Sequence, residues 1–341
     1  MIYRQVLRMK KSRQLKRNRK QRNFGLGHQP AYAAKVALAQ AYGGDSHFYT
    51  RYTHHARFKL VLVWLSKLDP PIRDLRDITS AHAVGYAEHL AAVVATGSME
   101  VAYAQNLIST VNTVMRAIRL DKEIWLSPSD AVGKRTYIRT VLPMASWDKV
   151  IEALRLAEKE ENYRGAALIL LWRAFGMRLR EAALADLHRM RSEAEMYRAV
   201  WISEGTKGGF VSEDRWIPVE SVQWQALDYA IHTISDTGTC LIDTNSSLKG
   251  FLARHAPPIR KVLKQVGIKS PKELRAENFI ELYERESGQA APLKQSGPFD
   301  RGADLRGREV VGKSGGHKRP TVSSAYIGKR HRSDRPGEEV R

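Results

Sequence analysis

Apolar residues recur at helical spacing over 57–68, where Phe58, Leu60, Val61, Trp64 and Leu65 alternate with basic positions. Pro70 and Pro71 end that helix, because prolines remove donors and restrict the residue before them. Thr79 can cap a second helix through Val84 and Leu90 to Val94, and Gly97-Ser98 breaks the pattern. A third helix is predicted over 99–118, with Ala102, Leu107, Val111, Val114 and Ile118 on its apolar side. The stretch 49–122 therefore reads as a helical bundle. Over 127–143 the period is lost among Pro128, Gly133, Lys134, Arg135 and Arg139, which suits a linker between domains.

A second domain begins near Ser146, a cap for a helix through Trp147, Ile151, Leu154 and Ala157. Another apolar helix over 166–175 runs directly into Gly176-Met177-Arg178. The period then shortens toward two, so 197–203 and 215–219 read as strands joined by the glycine-rich turn Glu204-Gly205-Thr206-Lys207-Gly208-Gly209. Helices follow over 221–233 and 245–266, the latter broken near Pro257-Pro258. Pro271 opens one more helix, at a position where its missing donor costs least. A region rich in Gly, Pro and charge over 287–316 reads as an inserted loop, and a short helical run ends at Gly328.

The chain has 341 residues, 43% of them apolar, which is enough for about two cored domains. Fifty-six basic against 36 acidic side chains give a net charge of +20 and favour a polyanionic partner, without telling DNA from RNA. Ten of the basic residues lie in 1–23 with no acid, a tail too self-repelling to pack and suited to non-specific nucleic-acid binding or simple solubilisation. Ordered structure is expected to begin between Gln29 and Tyr49. Cys240 is the single cysteine, which excludes an intrachain disulfide and a Cys-based zinc site. No apolar run approaches the roughly 18 to 20 residues of a membrane helix. A cytoplasmic protein acting on nucleic acid is the simplest reading.

Several residues carry candidate chemistry. Glu181 follows Arg178 by three positions, so the carboxylate can fix the guanidinium while its fork faces a phosphate oxygen; a purely structural pair has the same spacing. Lys207 sits at a hairpin tip, where its ammonium can protonate a departing oxygen or stand simply exposed. The turn lacks the Walker spacing of an ATP-binding loop. Lys272 and Arg275 share the N-terminal end of a helix, where anions are favoured, though a solvated face would look alike. His317 precedes Tyr326 by nine residues, and spacing alone does not bring them together. As a group these residues can hold a phosphodiester between two arginines, protonate its leaving oxygen and attack it with a phenolate.

The ordered set resembles the active-site signature of the tyrosine recombinase (phage integrase) family. Gly176, Met177, Arg178 and Glu181 match its first arginine box, Lys207 its hairpin lysine, and Lys272-Glu273-Leu274-Arg275-Ala276 its second arginine box. His317 matches its later histidine, and Thr321 through Gly328 its tyrosine box, with Tyr326 the tyrosine. Lys272 and Ala276 stand where the family usually has histidines. The 42 positions from Arg275 to His317 are more than is usual, whereas the 97 between the arginines fit.

The resemblance implies a mainly α fold with a small antiparallel β-sheet: a helical core-binding domain followed by an α+β catalytic domain. The expected parts are a basic tail (1–28), the helical domain (29–126), a basic linker (127–145), the catalytic domain (146–328) and a C-terminal tail (329–341). By resemblance, Arg178 and Arg275 bind the phosphate and Tyr326 attacks it. Lys207 is the general acid, Lys272 and His317 donate hydrogen bonds or move protons, and Glu181 orients Arg178. It further implies integration or excision of a mobile element through a 3′-phosphotyrosyl link, with no cofactor and no essential metal. The partners it implies are double-stranded DNA, a homotetramer in synapsis and a DNA-bending accessory protein, in a bacterial cytoplasm and on the nucleoid when bound. Two further readings remain open: a non-catalytic architectural DNA-binding protein of this fold, and a type IB topoisomerase-like enzyme. Synapsis of two sites separates recombinase from topoisomerase, and Tyr326→Phe separates both from the architectural protein.

Overall fold

The computed structural model describes residues 17–330 apart from Asp45, Ser296 and Lys318. The chain divides into two compact units, Met1–Thr136 and Tyr137–Arg341. In the first, α1 (Pro30–Tyr42), α2 (Phe48–Leu65), α3 (Ser80–Ala95), α4 (Val101–Arg119) and the short α5 (Pro128–Val132) surround one apolar core. Helix α3 starts where Thr79 accepts a hydrogen bond from the His82 amide, the local signal read from sequence. Helix α4 is the centre of this unit, burying Leu107, Ile108, Val111, Val114, Met115 and Ile118. Four positions expected on apolar faces, Leu60, Val84, Ala102 and Ile151, are exposed, because each lies on the far side of its helix from the core.

The start of ordered structure is earlier than expected. Arg17 donates to the carbonyls of Ile118 (2.7 Å) and Ala117 (2.8 Å), where the last turn of α4 leaves acceptors unpaired at its negative end. Asn23 and Phe24 are buried, and the Asn23 side chain ties the Leu75 amide to the carbonyls of Gly27 and His28. So the segment from Arg17 onward packs despite its charge, with Arg17, Arg19 and Arg22 each donating to an acceptor of the helical unit. The remainder of the basic tail, 1–16, lies outside the described residues. Helix α5 occupies part of the expected linker and buries Val132 in the first unit.

The second unit is built on α7 (Tyr163–Phe175), which is buried from Gly165 to Phe175. An all-round apolar helix must be enclosed, and burying side chains such as Leu168, Ile169 and Phe175 contributes about 1.5–3 kcal/mol each. Against it pack α6 (Trp147–Lys159) and α8 (Leu179–Leu184); α9 (Leu187–Tyr197) comes next, followed by β1 (Ala199–Trp201) and β2 (Trp216–Pro218). The strands pair antiparallel with Val200 opposite Ile217, and the Lys207 turn joins them. Then come α10 (Ser221–His232), α11 (Leu248–Gln265), α12 (Pro271–Ser287), α13 (Arg301–Ser314) and α14 (Ser324–Ile327). The fold is thus predominantly helical with one small antiparallel sheet. No helix among the described residues is long and apolar enough to cross a membrane.

Two expectations about the second unit are corrected. Helix α11 continues through Pro257 and Pro258. The fixed φ of proline is helical, and residues buried on both sides of the pair, Phe251 and Ala256 before it and Ile259, Val262 and Leu263 after it, hold the helix in place. The region over 287–316 is not loop throughout: its second half is the 14-residue α13, capped by Asp300. One of its glycines serves close packing: a Cβ on Gly307 would lie 2.7 Å from the buried ring of Tyr283, whose hydroxyl is held by Asp304 and Gln289. Gly307→Val is therefore expected to destabilise the protein by about 2 kcal/mol or more, overpacking outweighing the gain in helix propensity. Urea unfolding measures this; an unchanged midpoint would contradict the close packing.

Candidate active site

The site begins where α7 ends at left-handed Gly176 and the chain turns into α8. Arg178 precedes α8, and Glu181 in its first turn is fully buried. One Glu181 oxygen accepts from the Arg178 amide (2.7 Å), the other from the Arg178 guanidinium (2.6 Å). A second arginine grips the same carboxylate. Arg215, just before β2 and 1% exposed, donates Nη1 to Oε1 (2.8 Å) and Nη2 to Oε2 (2.9 Å). Arg275 Nη1 approaches to 3.8 Å. Burial by itself pushes the Glu181 carboxyl up. The hydrogen bonds and charge of Arg215, with the charges of Arg178 and Arg275, outweigh that and hold it at about 2.

Arg275 projects from the first turns of α12 into the interior, 6% exposed. Its guanidinium lies over the rings of Phe279 (4.6 Å) and Tyr326 (5.4 Å). Nη1 donates to the Gly176 carbonyl, Nη2 to the Gly315 carbonyl (2.9 Å) and Nε to the Tyr326 hydroxyl (3.3 Å). Burial, the largest influence, lowers its pKa to about 10, so it stays cationic at neutral pH. The Gly315 carbonyl also accepts from Arg178 Nη2 (2.9 Å), and Ser314 accepts from Arg215 Nε (3.0 Å). All three arginines are thus anchored on the carbonyl end of α13, the partially negative end of that helix. A guanidinium has five N–H donors. With these contacts made, Arg275 keeps two and Arg178 three.

Tyr326, on α14, sets its ring edge against Phe279 (centroids 4.8 Å apart, planes at 83°). Its hydroxyl lies 3.5 Å from His317 Nε2. Burial, then the charges of Arg178, Arg275 and Arg215, lowers the His317 pKa to about 4. The imidazole is therefore neutral at neutral pH and can accept a proton. Lys207 enters from the hairpin, which approaches α8 closely at Gly205: a Cβ there would lie 2.3 Å from the Arg180 carbonyl oxygen. Together Arg178, Lys207, Arg215, His317 and Tyr326 line a cavity of about 310 Å³ with Thr206, Phe210, Ser212 and Gly316. A wall of guanidinium, ammonium and phenol suits an anion.

Of the residues singled out in sequence, Arg178, Lys207, His317 and Tyr326 therefore meet in one cavity, and Arg275 stands behind it in contact with Tyr326. Lys272 does not join them. It is exposed and absent from the cavity wall. Three residues along a helix is an offset of about 60°, which here carries the side chain from interior to solvent. Arg215 went unrecognised as a site residue, since nothing local distinguishes it from an exposed charge between Asp214 and Trp216. The Ser314 and Gly315 carbonyls carry no sequence signal at all.

The chain has the fold of the tyrosine-recombinase integrases, a helical domain followed by an α+β domain. The Tn1549 transposon integrase in complex with circular intermediate DNA is 12% identical, with a TM-score of 0.55 over 88% of this chain and 97% of that one. A lambda integrase tetramer bound to a Holliday junction is 16% identical, with a TM-score of 0.53 over 89% of this chain and 78% of that one. A lambda integrase dimer bound to a COC′ core site is 18% identical, with a TM-score of 0.53 over 93% and 85%. At such identities the likeness is one of fold. No protein-family model and no curated protein sequence matches the chain.

Proposed function

We propose that this chain is a site-specific DNA recombinase that cleaves and rejoins double-stranded DNA through a 3′-phosphotyrosyl intermediate. The observation that carries the reading is the Tyr326 hydroxyl, in reach of both Arg275 and His317 on the wall that also holds Arg178 and Lys207. The Tyr326 oxygen attacks the phosphorus and its proton passes to neutral His317 Nε2. The bond from phosphorus to the 5′ oxygen breaks, and Lys207 protonates that oxygen. The free N–H groups of Arg178 and Arg275 take the non-bridging oxygens and stabilise the charge that grows there. The new phosphate ester keeps the energy of the old one, so attack by a 5′ hydroxyl restores the backbone without ATP.

On the first unit Lys59, Lys67, Arg73 and Arg116 are exposed and available to phosphates. Arg76 and Arg119 are engaged by Asp74 and by Asp121 and Glu123. Exchange between two duplexes needs four cleavages, hence a homotetramer as the proposed synaptic form. The test is a nicked duplex drawn from DNA flanking the coding sequence, incubated with the protein and run on a denaturing gel. A covalent adduct whose DNA-bearing peptide contains Tyr326 is expected. Tight binding without an adduct would return the protein to an architectural role, and plasmid relaxation without synapsis would make it topoisomerase-like.

A further inference from the structure

We propose that Arg215 is a positioning residue for this reaction: by occupying both oxygens of Glu181 it leaves the guanidiniums of Arg178 and Arg275 free to hold the phosphate. The inference rests on the recombinase reading of the same cavity. Glu181 is fully buried between three arginines, and its two oxygens are the only carboxylate oxygens those guanidiniums meet among the described contacts. Arg215 takes a bidentate grip on the carboxylate, whereas Arg178 spends a single guanidinium bond and its amide. Its Nε is tied to the Ser314 carbonyl and both its Nη atoms are bonded to Glu181, so although Arg215 borders the cavity its guanidinium is directed at the carboxylate. Arg215 therefore acts through Glu181.

Charge makes the same point. Three guanidiniums and one carboxylate leave two net positive charges at the cavity, one for each arginine that would face the phosphate. Without Arg215 one charge remains, and Glu181 is free to close a second bond on Arg178 and to draw in Arg275, already 3.8 Å away. Both moves would turn donors from the cavity toward the interior. Neutralising Glu181 as well would restore the two charges and release both forks.

The experiment compares wild type, R215M, E181Q and R215M/E181Q in single-turnover cleavage of the nicked duplex, with duplex affinity measured in parallel. R215M is expected to cleave about 10- to 100-fold more slowly, with affinity within about twofold of wild type. R215M/E181Q should recover about tenfold over R215M. A purely structural role predicts that rate, duplex affinity and urea midpoint fall and recover together, whereas the positioning role moves the cleavage rate of the folded protein with affinity unchanged. Cleavage by R215M at the wild-type rate, or a double variant no faster than R215M, would overturn the role of Arg215. If R215M does not fold, the double variant decides, since it leaves no unpaired buried carboxylate. Cleavage above the Y326F background is then expected, and none would overturn the proposal. Absence of an adduct from wild type is a different result: it removes the recombinase reading itself and this role with it.

Discussion

Tyr326→Phe is expected to abolish the covalent protein–DNA adduct while leaving DNA affinity within about twofold of wild type. The substitution removes one oxygen and nothing else. The ring keeps its edge-on contact with Phe279, and Ile327 beside it remains buried in the same small cluster with Val311 and Ile280. Arg275 Nε and His317 Nε2 lose a partner that each can replace with water at the cavity. The folding cost is then about 1 kcal/mol or less. Among the described residues no other tyrosine lines the cavity, so none of them offers a second phenol for the attack. Binding draws on a net charge of +20 that the substitution does not touch. An adduct formed by the Phe variant in wild-type amounts would assign the nucleophile elsewhere and end the proposed mechanism.

Arg275→Lys should be the most damaging of the charge-conserving changes. It is expected to slow single-turnover cleavage by on the order of 10²- to 10³-fold. Arginine here spans three points at once: the Gly176 and Gly315 carbonyls and the Tyr326 hydroxyl. A lysine ammonium is compact and has three donors on a flexible stem, so it cannot reach all three and still present two N–H groups to a phosphate. Buried carbonyls left unpaired would cost about 1–3 kcal/mol of stability, readable as a lower urea midpoint. Affinity for duplex DNA should fall far less than the rate, because one buried residue supplies little of the long-range field. A variant that cleaves normally but binds poorly would make Arg275 a binding residue, contrary to its place behind the cavity.

Much of the second unit's local structure could be read directly because local rules govern it. A glycine after an apolar run ends α7, and a carboxylate three residues past Arg178 closes on it. A glycine-rich turn between two short apolar runs makes the hairpin that carries Lys207. The same rules misread 301–314, because Gly307 there marks close helix packing against Tyr283 and not a loop. They also misread the segment from Arg17 onward, because charge repulsion along a chain says nothing about carbonyls waiting at the end of a helix a hundred residues later.

By itself, then, the sequence determined many of the elements and the order of the chemical groups along them. Helical and strand periods, caps and turn residues act over a few positions, and their signals are written within those positions. Only the tertiary structure decided which groups meet. It turned Arg275 inward and Lys272 out of the same helix end, brought His317 to 3.5 Å from Tyr326, and enlisted Arg215 and the carbonyl end of α13 around Glu181. Those outcomes depend on helix phase, burial and partners far away in the chain. The free energy that selects them belongs to the packed core, and no short window of residues contains it.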